Sequence, residues 1–141
     1  MIAFEKSLRR PYRLPTYNGF THEQRVATLP IQKAAAVSGS WLHPARCSIC
    51  GFSDPSDPRG RGYIFAHLED YDRPLRVHPA CRPCHAALHA RFNDPSRWLN
   101  VSARHGYAGS WFRLLTMDPA HQAAGFWDIY PQDLPPPINI D

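Results

Sequence analysis

The sequence predicts a small α+β domain whose core is held together by a structural zinc ion and is flanked by helices. Three observations support this fold class. The 141 residues suit one domain, and a hydrophobic content of 43% allows a modest core. All four cysteines fall in two Cys-x-x-Cys pairs separated by 30 residues. Short β-favouring segments lie between these pairs, and helix-capping patterns lie on both sides of them.

Residues 1–20 have the composition of an extended basic arm. Four basic residues and two prolines are interleaved there with Tyr12, Tyr17 and Phe20. These rings either stack on nucleic-acid bases or pin the arm to the body of the domain. Pinning is the interpretation we favour.

A helical flank is predicted over residues 21–46. Thr21 to Gln24 has the form of a capping box, which starts a short helix. Pro30 breaks or restarts that helix, and residues 31–37 form a second one before Gly39. We expect this flank to pack against the zinc core.

The zinc core is predicted over residues 47–92. Two thiolates of a Cys-x-x-Cys knuckle take adjacent corners of a tetrahedron, so two knuckles close a four-sulfur structural site around Zn²⁺. Its ligands are Cys47, Cys50, Cys81 and Cys84. The alternatives are two disulfides or a redox pair. The start of the chain lacks the pattern of a signal peptide, which favours a cytoplasmic protein without disulfides, and a redox pair needs no second pair.

The segment between the two knuckles begins with a turn-rich loop and continues with two short strands. Arg59 and Arg61 are set among glycines, so they either approach a phosphate closely or belong to a loop tip. The β-favouring residues predict strands at 63–65 and 75–77. His78 is expected to be a loop residue and not a ligand.

Histidines next to the second knuckle indicate a second metal site. If a helix starts near Pro83, His85 and His89 lie four residues apart on one face. His67 is available upstream as a third ligand. The alternative is an ordinary surface pair of histidines on a helix.

The C-terminal part is predicted to contain a helical flank over 93–117 and an acidic, Pro-rich tail over 118–141. Asp94 caps a helix that ends near Gly106. The tail is expected to pack against the rest of the domain through Phe126, Trp127 and Tyr130. The chain from Pro135 onward is expected to be loosely packed.

The order of motifs from residue 47 to 92 resembles the small phage and bacterial HNH endonucleases. The shared pattern is CxxC, a strand that ends in Ala-His-x-x-Asp-Tyr, and CxxCH-x3-H. The resemblance implies a ββα-metal core in a treble-clef-like setting and a DNA endonuclease or nickase. It also implies that His67, His85 and His89 hold the catalytic ion, which is Zn²⁺, Mg²⁺, Mn²⁺ or Ni²⁺.

Two positions depart from the HNH pattern. Leu68 stands where the family has its general-base histidine, and Arg76 lies near the position of its asparagine. Glu69 or Asp70 would then replace the base, although Asp at such a position also commonly bonds to turn backbone. A catalytically inactive zinc module that binds nucleic acid or a protein partner is therefore the alternative function. A third interpretation is a second structural zinc site, with Glu69 or Asp70 as the fourth ligand.

Charge also indicates a nucleic-acid partner, with DNA the expected one. The net charge is +4, with 14 Arg and 2 Lys; residues 1–113 carry +8 and residues 114–141 carry −4. Arginine suits bidentate contact with phosphate, while an ordinary solvated surface is the alternative. The candidate contacts are Arg59, Arg61, Arg73, Arg76, Arg82 and Arg91. No apolar run is long enough to span a bilayer, and no pattern indicates an oligomeric state.

Overall fold

A computed structural model of the chain describes residues 13–53 and 63–137. In chain order the elements are α1 (His22–Val26), α2 (Thr28–Ser38), β1 (Ile64–His67), β2 (His78–Cys81), α3 (Arg82–Ala90), α4 (Pro95–His105) and α5 (Phe126–Ile129). Short 3₁₀ helices at Trp111–Leu114 and Pro119–Ala123 lie between α4 and α5. The predicted small α+β class is confirmed.

The two strands form an antiparallel hairpin in which Ile64 pairs with Cys81 and His67 with His78. The predicted position of β2 at 75–77 was wrong, and His78 is a strand residue. Proline is uncommon inside a strand because it lacks an N–H, and β2 contains Pro79. In a two-stranded sheet, however, the outer edge of each strand needs no ladder bond. The carbonyl of Pro79 accepts a hydrogen bond from Ser48 N–H at 2.8 Å instead, which joins β2 to the first knuckle.

Helix α3 follows β2 without a loop, so the second knuckle spans their junction and α3 carries His85 and His89. Cys81 is its N-cap residue, and Pro83 lies in the first turn, where a missing N–H is tolerated. The buried face contains Cys84, Ala87 and Leu88. As a result, the last cysteine points into the core.

The helices of the two flanks begin at the predicted capping residues and end at the predicted glycines. Thr21 and Gln24 form a capping box at α1. The chain restarts as α2 at Thr28, so Pro30 lies in the first turn of α2 and does not itself break the helix. Gly39 ends α2 with a φ of 78°, the left-handed conformation that glycine adopts without steric cost. Asp94 caps α4 by accepting a hydrogen bond from Arg97 N–H at 3.3 Å.

Both ends of the described chain pack into one hydrophobic core around the cysteines. Phe20 from the N-terminal segment and Phe126, Tyr130 and Leu134 from the C-terminal one belong to this core. Tyr17 is also buried, which agrees with pinning of residues 17–20. Trp127, by contrast, is half exposed, at 50%.

No helix within residues 13–53 and 63–137 combines the length and the apolar character that a membrane crossing requires.

Candidate metal centres

The four cysteines form a compact cluster at the junction of the first knuckle, β2 and α3. Their Sγ atoms all lie within 4.8 Å of one another, and the distance from Cys50 Sγ to Cys81 Sγ is 3.6 Å. A tetrahedral site with Zn–S bonds of about 2.3 Å has sulfur–sulfur edges of about 3.8 Å. A disulfide would require about 2.05 Å, and none of the four cysteines is in one. The cluster therefore fits a structural metal such as zinc.

The first knuckle directs backbone N–H groups at a ligand sulfur. The N–H groups of Ile49 and Cys50 both donate to Cys47 Sγ at 3.4 Å. Gly51 permits this tight turn through a φ of 82°. The turn thus favours the thiolate form that a metal binds.

A second cluster contains three histidines from β1 and α3. The ring nitrogens of His67, His85 and His89 lie within 4.8 Å of one another, and the Nε2 atoms of His85 and His89 are 3.1 Å apart. Zn–N bonds of about 2.0–2.1 Å imply nitrogen–nitrogen edges of about 3.3 Å. The structure thus brings together the three residues that the HNH resemblance pairs with a catalytic metal. Metal binding by them stays a prediction.

The environment of these histidines favours the neutral imidazole that a metal requires. Burial lowers the pKa of His85 to about 4, and the positive charge of Arg25 adds to this effect. Burial also holds the pKa values of His67 and His89 well below their ordinary range. Near neutral pH all three rings therefore present a lone pair.

Glu69 contacts His67 from the buried side of the cluster. Its Oε2 lies 2.5 Å from His67 Nε2 and also accepts a hydrogen bond from the Tyr17 hydroxyl, while Oε1 accepts from Asn18 Nδ2 at 3.0 Å. The residue is 1% exposed. Metal-binding histidines commonly donate their second ring N–H to a carboxylate, which fixes the tautomer and strengthens the ligand. The contacts of Glu69 suit this orienting role, whereas its predicted role as a base would require access to water.

We expect Glu69→Gln to weaken metal binding at the histidine centre about 10- to 100-fold, because an amide holds the His67 tautomer less well than a carboxylate. Calorimetric titration with Zn²⁺, after the four-cysteine centre is filled, measures this affinity. Asp72→Asn makes the same chemical change at an exposed position of the following turn and should leave the affinity unchanged. Equal affinities in the two variants would contradict the orienting role.

Asp70, the other predicted base, is engaged by the turn that follows β1. Its Oδ1 accepts from Asp72 N–H at 3.0 Å, and its Oδ2 accepts from Arg73 Nε at 2.7 Å. This is the turn-bonding alternative that the sequence left open. Asp70 does not belong to the histidine cluster.

Three of the predicted nucleic-acid contacts are engaged within the protein. Arg73 and Arg76 bind the carboxylate of Asp133, with nitrogen–oxygen distances of 2.8 and 3.2 Å, and so fasten the C-terminal segment. Arg91 is fully buried and donates to Thr116 O at 2.7 Å and to the Tyr17 hydroxyl at 3.0 Å. The prediction of a surface contact at Arg91 was therefore wrong.

The remaining predicted contacts differ in their position. Arg82 is exposed at the start of α3. Arg59 and Arg61 lie outside the described residues.

A cleft of about 420 Å³ opens onto the three histidines, and we call it the histidine cleft. Leu68 lines it and is 3% exposed, so the position of the expected base presents an apolar side chain to the cleft. Arg25 also lines it, held by its Nε bond to the Tyr71 hydroxyl (3.1 Å) and its Nη1 bond to Pro15 O (2.7 Å). Sequence reasoning missed Arg25, because nothing local distinguishes it from other helix arginines.

No protein-family model matches the sequence, and the searches of curated proteins and of solved structures returned no match either.

Proposed function

We propose that the chain is a metal-dependent nuclease of HNH-like type that cuts or nicks DNA, with a ββα-metal core in a treble-clef-like setting. One observation carries the proposal: three neutral histidines line one open cleft, and although Glu69 contacts His67, no carboxylate oxygen of the described residues lies within 4.8 Å of all three ligand nitrogens. Structural zinc sites are closed by four protein ligands, whereas catalytic sites keep a position for water or substrate. This arrangement favours catalysis over a second structural zinc site.

Different residues around the cleft have different roles in phosphodiester hydrolysis. A divalent ion, Zn²⁺, Mg²⁺, Mn²⁺ or Ni²⁺, would polarise the phosphate and lower the pKa of a water molecule that it binds. His85 and His89 hold this ion from one face of α3, and Glu69 orients His67. The buried guanidinium of Arg25 faces the same cleft, where it stabilises negative charge on the phosphate. Leu68 cannot accept a proton, so we expect slow turnover.

The apolar side chain of Leu68 also favours the alternative function. A catalytically inactive zinc module would use the same core to bind nucleic acid or a protein partner. For nucleic acid, it predicts salt-sensitive binding without any cleavage product in Mg²⁺, Mn²⁺, Ni²⁺ or Zn²⁺. Reproducible cleavage that follows the protein through purification would eliminate it.

The proposal is tested by plasmid nicking together with elemental analysis. We expect His85→Ala to reduce nicking at least about 1,000-fold, because it removes a ligand of the ion that supplies the charge stabilisation. Wild type should hold two metal ions per chain, and a His85→Ala/His89→Ala variant should hold one.

His105→Ala, at the end of α4, provides the matched control and should nick like wild type. Equal nicking by wild type and His85→Ala would overturn the proposal. One zinc per wild-type chain and no product with any of the four metals would do the same.

A further inference from the structure

Four aromatic rings line the histidine cleft and lead to His85, and we call them the aromatic wall. Trp41 and His43 come from the segment before the first knuckle, and Tyr63 and Phe65 from the start of the hairpin. Successive ring centroids are 6.0, 5.7 and 5.0 Å apart along this order. Phe65 then stacks on the His85 ring at 4.3 Å with an interplanar angle of 13°. The wall thus connects the protein surface to the candidate metal centre.

The outer rings of the wall are accessible from solvent. Tyr63 is 52% exposed, His43 is exposed, and Trp41 is half-buried. The Tyr63 hydroxyl lies 3.4 Å from His43 Nε2, so the two side chains support each other. Aromatic rings that remain accessible in a groove provide platforms on which unpaired bases stack.

Another part of the cleft lining comes from α1 and α2 and carries positive charge. Arg25 and Lys33 both line the cleft, and the described residues that line it include no Asp or Glu. Lys33 is exposed. Cationic side chains and stacking rings in one cleft match the phosphate backbone and the bases of one nucleic-acid strand.

The size of the cleft separates single strands from duplexes. Its volume of about 420 Å³ lies within the roughly 300–1,000 Å³ of small-ligand sites. A double helix, whose major groove alone is about 12 Å wide, is too wide for such a space, so duplex DNA, including a plasmid, would reach the cleft only where its strands are locally unpaired. Paired bases are also stacked on one another and present no free face to the aromatic wall.

We propose that the histidine cleft binds a single-stranded or locally unpaired nucleic-acid segment. Its bases stack on the aromatic wall, and its phosphates face Arg25 and Lys33. This inference rests on the proposed function for the reaction at the cleft floor, and it narrows the substrate class of that site. The chemistry is shared by single-stranded DNA and RNA.

Fluorescence anisotropy with labelled 12-nucleotide DNA, the same sequence as RNA, and the corresponding DNA duplex tests the inference. The full chain is used without added divalent metal, so that cleavage does not interfere. We expect one or both single strands to bind at least about 10-fold more tightly than the duplex. Tyr63→Ala should weaken single-strand binding about 5- to 150-fold, the usual range for loss of one base–aromatic stack.

Two further variants make the result specific to stacking. Tyr63→Phe keeps the ring and should bind like wild type. Tyr107→Ala removes a tyrosine of similar exposure (49%) that does not line the cleft, and it should also bind like wild type. The inference is overturned if the duplex binds as tightly as both single strands, or if Tyr63→Ala and Tyr107→Ala behave alike. Tighter binding of the DNA strand or of the RNA strand shows which of the two nucleic acids the cleft prefers.

The failure of this inference differs from the failure of the nuclease proposal. Metal-dependent nicking without a single-strand preference would overturn the inference and leave the nuclease. Single-strand binding that depends on Tyr63, without cleavage in any metal, would overturn the nuclease and leave the cleft as a binding site.

Discussion

Cys81→Ala should leave the domain largely unfolded at 25 °C. The hairpin has only two four-residue strands, and an isolated two-stranded sheet is at best marginally stable. Structural zinc contributes about 10–16 kcal/mol of apparent binding free energy in small zinc domains at pH 7. That is as large as the total stability of most domains, about 5–15 kcal/mol. Circular dichroism and thermal melting should therefore show loss of the cooperative transition, and a strong zinc chelator should do the same to wild type.

The design of this variant separates the metal from ordinary packing. Cys81 is fully buried, and alanine is apolar, so the substitution leaves no unsatisfied polar group in the core. Loss of the packing of one sulfur atom alone would cost only about 1 kcal/mol of stability. His85→Ala, which changes the candidate histidine centre instead, is the matched control and should keep its cooperative transition. If Cys81→Ala melts within a few degrees of wild type, the cysteine cluster does not hold a structural metal.

The four-cysteine cluster could be predicted because knuckle geometry is local. Two cysteines three residues apart around a tight turn can bind one metal whatever the rest of the chain does. The position of β2 could not be derived in the same way. Pro79 is compatible with a strand because it faces the outer edge of the sheet, where its carbonyl accepts a hydrogen bond from Ser48 in the first knuckle. That partner lies 31 residues away in the sequence.

The burial of two charged residues could not be predicted, for a different physical reason. Glu69 and Arg91 were both assigned to surface or solvent-facing chemistry, since charged residues are rarely fully buried unless paired. Tyr17 provides the pairing for both: it is 52 residues from Glu69 and 74 from Arg91, and its hydroxyl lies between them. The histidine cleft was missed on similar grounds, because α2, Trp41 and Tyr63 meet only in the folded chain.

Leu68→His should increase metal-dependent nicking about 100-fold or more over wild type. A positioned general base typically contributes about 10²- to 10⁴-fold to rate. The side chain at position 68 already lines the histidine cleft, next in sequence to His67. In the HNH resemblance, this is the position of the general base. Single-turnover nicking kinetics measure the rate of the chemical step, with rates expressed per folded, metal-loaded chain.

Leu68→Phe shows whether a faster nicking rate in Leu68→His comes from the new base or from the changed shape of the cleft. Phenylalanine adds a ring of roughly similar bulk to imidazole but cannot accept a proton, so this variant should nick no faster than wild type. Leu68→His combined with His85→Ala should lose the gain, because a new base has no activated water without the metal ligand. If Leu68→His is no faster than wild type while it binds two metals and remains folded, the HNH resemblance does not extend to position 68. The slow step would then have to be sought in substrate entry past Arg25 and the aromatic wall.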